Sequence, residues 1–469
     1  MARRKFPLLE KVEVIDLDVK GKGVVKQGEK VVFIKDTIPG DLVDVQIIKK
    51  RKGIFEGVVT NWHQQSPKSQ EPFCEHFNDC GGCKFQRLSY TDQLACKEKI
   101  VHDAMQRLAK VPIGQFKPIL GCEHDRLYRN KLDFGFSNKR WVTYREAASD
   151  SDLGETNALG FHVAGRFDKI LHINHCHLQP EPSNAIRNAV FEYCMANNIS
   201  CFDYSEQIGY MRSLIIRDNG AGQVMVIVVV NSNDVSVANK MAKWLQPQFK
   251  EIASIYLVAN TKANDTIFDL EPQLVYGKAE LAFTIGHLQF TMGPKSFMQT
   301  NSKQTLPLYE LAANAANLKG NEVVYDLFCG VGTIGMFLAN KAQKIVGIET
   351  VEEAIEKAKE NAKLNGIENA HFIAGSVEKL MDHEFIATNG KPDVVITDPP
   401  RVGMHKDVVK MLLHITPKRI VYVSCNPSTQ ARDLALLHEK YDVEWVQPVD
   451  MFPQTPHVES VAVLNLRNE

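Results

Sequence analysis

The sequence predicts a multi-domain α/β chain. It comprises an OB-like β-barrel, an α+β middle domain with a metal cluster, and a carboxy-terminal Rossmann-like domain with a seven-stranded sheet. Three observations predict it. Up to about Thr60, short apolar/polar alternations are punctuated by glycine. Three cysteines, Cys74, Cys80 and Cys83, fall close together. From Thr305, helical and strand patterns alternate around a Gly-x-Gly turn.

A chain of 469 residues suggests about three domains. With 44% hydrophobic and 24% charged residues, its composition is that of a globular protein. No apolar run approaches the roughly 20 residues that span a bilayer, so no membrane partner is expected. Met1-Ala-Arg-Arg-Lys5 lacks the apolar stretch of a signal peptide, and a cytoplasmic location is expected. Ten cysteines in that setting point to metal binding, catalysis or burial ahead of disulfides. A net charge of −1 carries no global signal for nucleic acid, so any such contact must come from local patches.

Residues 1–62 form the first expected domain. Lys11–Ile15, Gly23–Val25, Lys30–Ile34, Asp41–Ile48 and Ile54–Val59 read as five strands, with glycine turns between them. Met1 to Thr60 holds 13 Lys/Arg against 9 Asp/Glu, densest at Lys49-Lys-Arg-Lys52. A nucleic-acid contact and a solvated loop both account for that run.

Residues 63–290 form the second. Cys74-Glu-His-Phe-Asn-Asp-Cys80-Gly-Gly-Cys83 has spacing for thiolates converging on one metal centre, with Gly-Gly allowing the tight turn. Cys176, in His175-Cys-His177, is the best fourth ligand, ahead of Cys96 and Cys122. Zinc and an iron–sulfur cluster both accept four thiolates, and the residues do not choose between them. Residues 91–110 have helical periodicity, with a face suited to packing on the carboxy-terminal domain. Arg126, Arg129, Lys131, Lys139 and Arg140 interleave with Tyr128, Phe134, Phe136 and Trp141, a mixture suited to phosphate contact and base stacking.

Residues 291–469 form the third. Glu322 to Phe328 reads as a strand entering Cys329-Gly-Val-Gly332, followed by helix and by the strand Lys344–Glu349. Glycines allow close backbone approach to a ligand, and the acid about twenty residues on suits ribose hydroxyls. Ala370–Ala374, Asp393–Asp398, Arg419–Cys425, Tyr441–Val449 and Ser460–Leu466 complete seven strands, and Asp450 to Glu459 is expected as a loop. Asn426-Pro427 stops the fifth strand at Cys425, putting a thiol at the carboxyl edge of the sheet. There it serves as a nucleophile or as a small buried hydrophobe.

The cysteine cluster, Phe297-Met-Gln299-Thr-Asn301, Asp326-Leu-Phe328-Cys-Gly, Asp398-Pro-Pro-Arg401, Ser424-Cys425-Asn426-Pro427 and His457-Val-Glu459-Ser460 occur in this order. Together they resemble the RNA uracil-C5 methyltransferases, in particular the branch with a TRAM barrel and iron–sulfur cluster that acts on 23S ribosomal RNA. The resemblance implies S-adenosylmethionine as cofactor, contacted by Gln299, Phe328, Glu349 and Asp398. It implies Cys425 as nucleophile and Glu459 as general base. It also implies a [4Fe-4S] cluster on Cys74, Cys80, Cys83 and Cys176, and RNA, not DNA, as partner. Two alternatives remain: transfer RNA as substrate, and a non-catalytic RNA-binding assembly factor that retains the fold.

Overall fold

The computed structural model of the protein describes residues 6–28, 30–51, 53–148 and 154–467. Six strands between Leu8 and Gln64 form the first sheet, one more than expected because Asp16–Leu17 adds a short edge. Alternation along Leu42–Arg51 turns Val43, Val45 and Ile47 inward, where they pack with Leu9, Val14, Val25, Val32 and Ile34. Of the basic run, Lys49, Lys50 and Arg51 are exposed, whereas Lys52 lies outside the described residues. Arg87 clamps this module to the rest of the chain. Its guanidinium donates to both oxygens of buried Asp41, at 2.8 and 3.0 Å, and stacks over Trp62.

The middle region centres on a mixed seven-stranded sheet between Lys131 and Gly277. Its strands Met211–Asp218 and Val224–Val230 are almost wholly buried, as suits a sheet covered on both faces. Helices Ser183–Ala196 and Ser236–Leu245 cover one face through Ile186, Val190, Met241 and Leu245. From the other face, Ile215, Met225, Ile227 and Val229 enter a core continuous with the carboxy-terminal sheet.

That last sheet has eight strands: β1 (Ile113–Phe116), β2 (Val323–Leu327), β3 (Lys344–Glu349), β4 (Ala370–Ala374), β5 (Val394–Thr397), β6 (Arg419–Ser424), β7 (Tyr441–Val449) and β8 (Glu459–Leu466). Their order is β4-β3-β2-β5-β6-β8-β7-β1. Neighbours from β4 to β6 run parallel, and β8 is antiparallel to both β6 and β7. The expected seven strands are present. The eighth, β1, comes from upstream and pairs with β7 in parallel. Glu459, expected in a loop, is the first residue of β8.

Helix α1 (Tyr90–Ala104) begins at Ser89, whose hydroxyl accepts the Asp92 amide. It buries Ile100, Val101 and Ala104 against Ala431, Leu434 and Leu437 of the carboxy-terminal domain. Lys97, on the same helix, is fully buried. Its ammonium reaches Asp450 Oδ1 at 2.5 Å and the Phe452 carbonyl at 2.9 Å. The Tyr90 hydroxyl donates to the other Asp450 oxygen at 2.9 Å. Removing one member of a buried pair leaves the other charge desolvated and alone, at a cost of about 3–5 kcal/mol. Asp450→Ala is therefore expected to lower the thermal unfolding midpoint by several degrees, and Lys97→Met in the same chain should restore part of the loss. An unchanged midpoint in the single variant would show that the pair contributes nothing. Among the described residues, no helix is long and apolar enough to cross a membrane.

Candidate active site

At the carboxyl end of β2 the chain turns sharply. Phe328 has φ +62°, and Gly330 and Gly332 follow at +54° and +76°. A Cβ on Gly332 would lie 2.5 Å from the Phe372 ring, so only glycine fits there, whereas Gly330 faces open space. Asp326 beneath the turn accepts the Gly335 amide at 2.8 Å, and burial pushes its carboxyl up to about 7. Glu349, at the end of β3, accepts the Gly330 amide at 3.2 Å and those of Thr350 and Val351 at 2.7 and 3.1 Å. The acid is thereby fixed beside the glycine turn.

Cys425 and Glu459 meet through strand register. β6 pairs with β8 as far as Ser424 opposite Ser460, which brings Cys425, one residue past the end of β6, beside Glu459, the first residue of β8. Gln430 staples the two strands. Its side-chain amide donates to the carbonyls of Tyr422 and Ser460, at 2.8 and 3.2 Å, and its oxygen accepts the Ser460 hydroxyl. Asn426 caps helix α2 (Pro427–Leu437) and donates to the Arg401 carbonyl at 2.9 Å, tying the turn at Cys425 to Asp398-Pro-Pro-Arg401.

Burial, together with the charges of Glu459 and Asp398, pushes the Cys425 thiol up to about 11, and Arg401 opposes that rise. Burial and the neighbouring Asp398 hold Glu459 well above the usual carboxylate range. Burial raises Asp398 as well. Arg401 donates to His457 Nδ1 at 2.8 Å. A guanidinium can only donate, so Nδ1 carries the lone pair. Burial and Arg401 bring His457 down to about 4, which keeps it neutral.

Gln299, Phe328, Glu349, Asp398, Cys425 and Glu459 all line one cavity of about 2030 Å³. That exceeds the roughly 300–1,000 Å³ of an ordinary small-molecule pocket and leaves room for a nucleoside cofactor together with a second base. Arg129 and the Arg401–His457 pair line it too. Sequence pattern placed Arg129 among residues suited to phosphate contact, and Arg401 and His457 within motifs, but did not pair Arg401 with His457, because the two lie 56 positions apart.

A second cavity, of about 720 Å³, is lined by Cys74, Cys80, Cys83 and Cys176. Cys96 and Cys122 lie elsewhere. Cys96 packs near Leu17, Ile38, Phe85 and Leu88, and the Cys122 thiol donates to the Asp450 carbonyl at 2.8 Å. The Gly82 amide donates to the Cys80 sulfur at 3.4 Å, and the Phe77 amide donates to the Cys74 carbonyl at 3.1 Å, holding the turn that carries both. Burial pushes Cys80 up to about 11 and Cys83 up to about 12. The Asn174 amide donates to His76 Nε2 at 3.0 Å, occupying that lone pair. Among the described residues, no three His, Cys, Asp or Glu side chains stand close enough to hold one metal ion. The convergence on a single ion that the spacing suggests is therefore absent, and the sulfurs are spread around a larger space.

A mostly parallel sheet with one antiparallel strand near its edge, a glycine turn after β2 and an acid at the end of β3 defines a nucleoside-binding α/β domain. Comparison with known proteins narrows the class. The model of the family described as tRNA (Uracil-5-)-methyltransferase matches residues 221–467. An uncharacterized RNA methyltransferase from Bacteroides thetaiotaomicron is 47% identical, covering 96% of this chain and 99% of its own. Another, from Halalkalibacterium halodurans, is 35% identical over the full length of both. Among solved structures, a Pyrococcus abyssi tRNA (uracil-54, C5)-methyltransferase bound to S-adenosyl-L-homocysteine superposes with a TM-score of 0.75 and 26% identity. It covers 97% of this chain and 100% of its own. The chain belongs to the uracil-5-methyltransferase family and is an S-adenosylmethionine-dependent RNA methyltransferase.

Proposed function

We propose that the protein methylates carbon 5 of a uridine in 23S ribosomal RNA, with Cys425 as nucleophile and Glu459 as base. The nearness of Cys425 to Glu459 where β6 and β8 adjoin, beside Asp398, carries this reading. Gln299, Phe328, Glu349 and Asp398 would hold the cofactor; the open face of Gly330 and the fixed Glu349 carboxylate suit a nucleoside. When bound, S-adenosylmethionine supplies the methyl group to carbon 5. A uridine in folded RNA must leave its stack to reach the cavity. The Cys425 thiolate bonds to carbon 6, and the displaced electron pair makes carbon 5 nucleophilic. After transfer, Glu459 takes the carbon 5 proton; the electrons left behind re-form the double bond and expel the thiolate.

The first sheet is read as a TRAM-type RNA-binding domain over residues 1–62, supported by its separate core and exposed Lys49, Lys50 and Arg51. Residues 63–290 and 291–469 are read as the cysteine-bearing and methyltransferase domains, in a cytoplasmic protein. A [4Fe-4S] cluster on Cys74, Cys80, Cys83 and Cys176 is supported by four sulfurs around a cavity larger than one ion needs, with the Gly82 amide donating to Cys80.

Transfer RNA is the second reading, favoured by the substrate in the description of the archaeal neighbour, which spans nearly the whole chain. Nucleoside mass spectrometry with site mapping, on unmodified ribosomal and transfer RNA incubated with protein and S-adenosylmethionine, separates the two. New 5-methyluridine in 23S RNA is expected, and methylation confined to transfer RNA would replace the substrate. Glu349→Ala should weaken S-adenosylhomocysteine binding about 10- to 100-fold by calorimetry, the worth of hydrogen bonds to a charged group. An unchanged Kd would remove Glu349 from the cofactor site.

A further inference from the structure

We propose that the cysteine cavity is a positioning site for the base: it holds the Asp450–Val458 segment, and through it Glu459, in the reactive place. The inference builds on the reading of Glu459 as base and of the four cysteines as one site.

The link is short and direct. Cys83 is followed by Lys84 and Phe85, whose amides both donate to the Gln454 carbonyl, at 2.8 and 3.1 Å. Gln454 is buried and adopts φ +68°, a conformation that a side-chain-bearing residue keeps only where its surroundings dictate it. Its remaining polar groups are satisfied from the same side of the molecule. Gln93 accepts its amide at 2.9 Å and donates to its side-chain oxygen at 3.0 Å, while its side-chain nitrogen donates to Asp125 at 2.8 Å. Gln93 in turn donates to the Phe85 and Leu88 carbonyls. On either side of Gln454, the buried Tyr128 hydroxyl donates to the Pro453 carbonyl at 2.9 Å, and Thr455 lines the cysteine cavity itself. The Thr455 hydroxyl accepts the His457 amide at 3.2 Å, and β8 begins with Glu459 two residues later.

The two halves of the reactive pair share the β6–β8 pairing and the Gln430 staple, but the segments that lead into them are held differently. Cys425 is held by its own sheet and helix α2, through Gln430 and Asn426. The segment that delivers His457 and Glu459 is bonded to the cysteine-bearing region and to α1. Arg129, which lines both cavities, forms part of the wall between them. Order around the four sulfurs fixes Lys84 and Phe85, these fix Gln454, and Gln454 sets the approach to Glu459. Disorder at the cysteine site is expected to loosen the base and spare the nucleophile.

Hydrogen–deuterium exchange on the full-length protein tests this. Anaerobically isolated protein, with iron, sulfide and zinc quantified, is compared with Cys74→Ser and with Gln454→Gly. The glycine variant tolerates the positive φ and keeps every cysteine, but loses the side-chain bonds. Exchange across residues 451–458 is expected to rise about tenfold or more in both variants, with β6 unchanged. Gln454→Gly should retain the metal content of the parent. With unmodified 23S RNA and transfer RNA as probes, it should accumulate a denaturant-resistant methylated protein–RNA adduct, because proton removal slows more than adduct formation. Unchanged exchange across 451–458 in both variants overturns the proposal, as does equal loss of adduct formation and resolution in Gln454→Gly. Metal-free parent protein overturns the cluster reading alone, since Cys74→Ser still probes the cavity. Absence of any adduct even in Glu459→Gln would count against the catalytic assignment, and the exchange data would still judge the positioning.

Discussion

Cys425→Ala is expected to abolish 5-methyluridine formation, by on the order of 10⁴- to 10⁶-fold, the range seen when a covalent nucleophile is removed. Carbon 5 of uracil does not attack a sulfonium methyl group unaided, so no neighbouring residue substitutes for the thiol. Fold and cofactor binding should be spared. Cys425 follows β6 without being one of its paired residues, and Ser424 and Asn426 make the turn with each other. Unfolding midpoint and S-adenosylhomocysteine affinity are therefore expected to match the parent. Product within tenfold of the parent, in a folded variant, would exclude Cys425 as nucleophile. The pH dependence follows the same chemistry. The thiol is pushed up to about 11 by burial and the adjacent carboxylates, so the reactive thiolate is scarce near neutrality. Adduct formation should rise steadily from about pH 6 to pH 9, with no acid-side optimum.

Glu459→Gln has the second largest expected effect and a different signature. Product release should fall about 10²- to 10⁴-fold, the usual contribution of a general base, while a methylated covalent enzyme–RNA species accumulates. Glutamine keeps the size and hydrogen-bonding capacity of the side chain at a buried position but cannot take a proton. In the parent, burial and Asp398 hold the Glu459 carboxyl well above the usual carboxylate range, which favours its protonated form. Raising the pH ionises it, and resolution of the adduct should quicken with pH until that ionisation is complete. In Glu459→Gln the residual resolution should lose this dependence. Rapid-quench trapping with separation under denaturing conditions measures both. Loss of adduct and product together would assign Glu459 to adduct formation instead of proton removal.

Much of the site was legible because its chemistry is written in contiguous stretches. Leu327-Phe328-Cys329-Gly330, Asp398-Pro-Pro-Arg401 and Ser424-Cys425-Asn426-Pro427 are each a strand end joined to a turn, and local rules of strand, glycine and proline place them at one sheet edge. What stayed hidden depends on pairing at long range. Ile113-Gly-Gln-Phe116 is too short, with glycine inside it, to read as a strand, and becomes β1 only because β7 offers a free edge. Lys97 sits in a helical pattern where a lysine reads as solvent-facing, and only Asp450 and the Phe452 carbonyl, far along the chain, account for its burial. The cysteine spacing suggested convergence on one metal centre, whereas the folded chain spreads the four sulfurs around a cavity.

By itself, then, the sequence determined the class of sheet, its seven main strands and the glycine turn with its acid, and it supplied the thiol and carboxylate that the proposed chemistry uses. These follow from local backbone preferences and side-chain chemistry, which act over a few residues. Only the tertiary structure decided that Cys425 lies beside Glu459, through the Ser424–Ser460 register, and that the approach to Glu459 is held from the cysteine-bearing region through Gln454. Register and buried hydrogen bonds are set by which surfaces meet when the chain closes, and that information is spread over residues as far apart as Gln93 and Gln454, 361 positions along the chain.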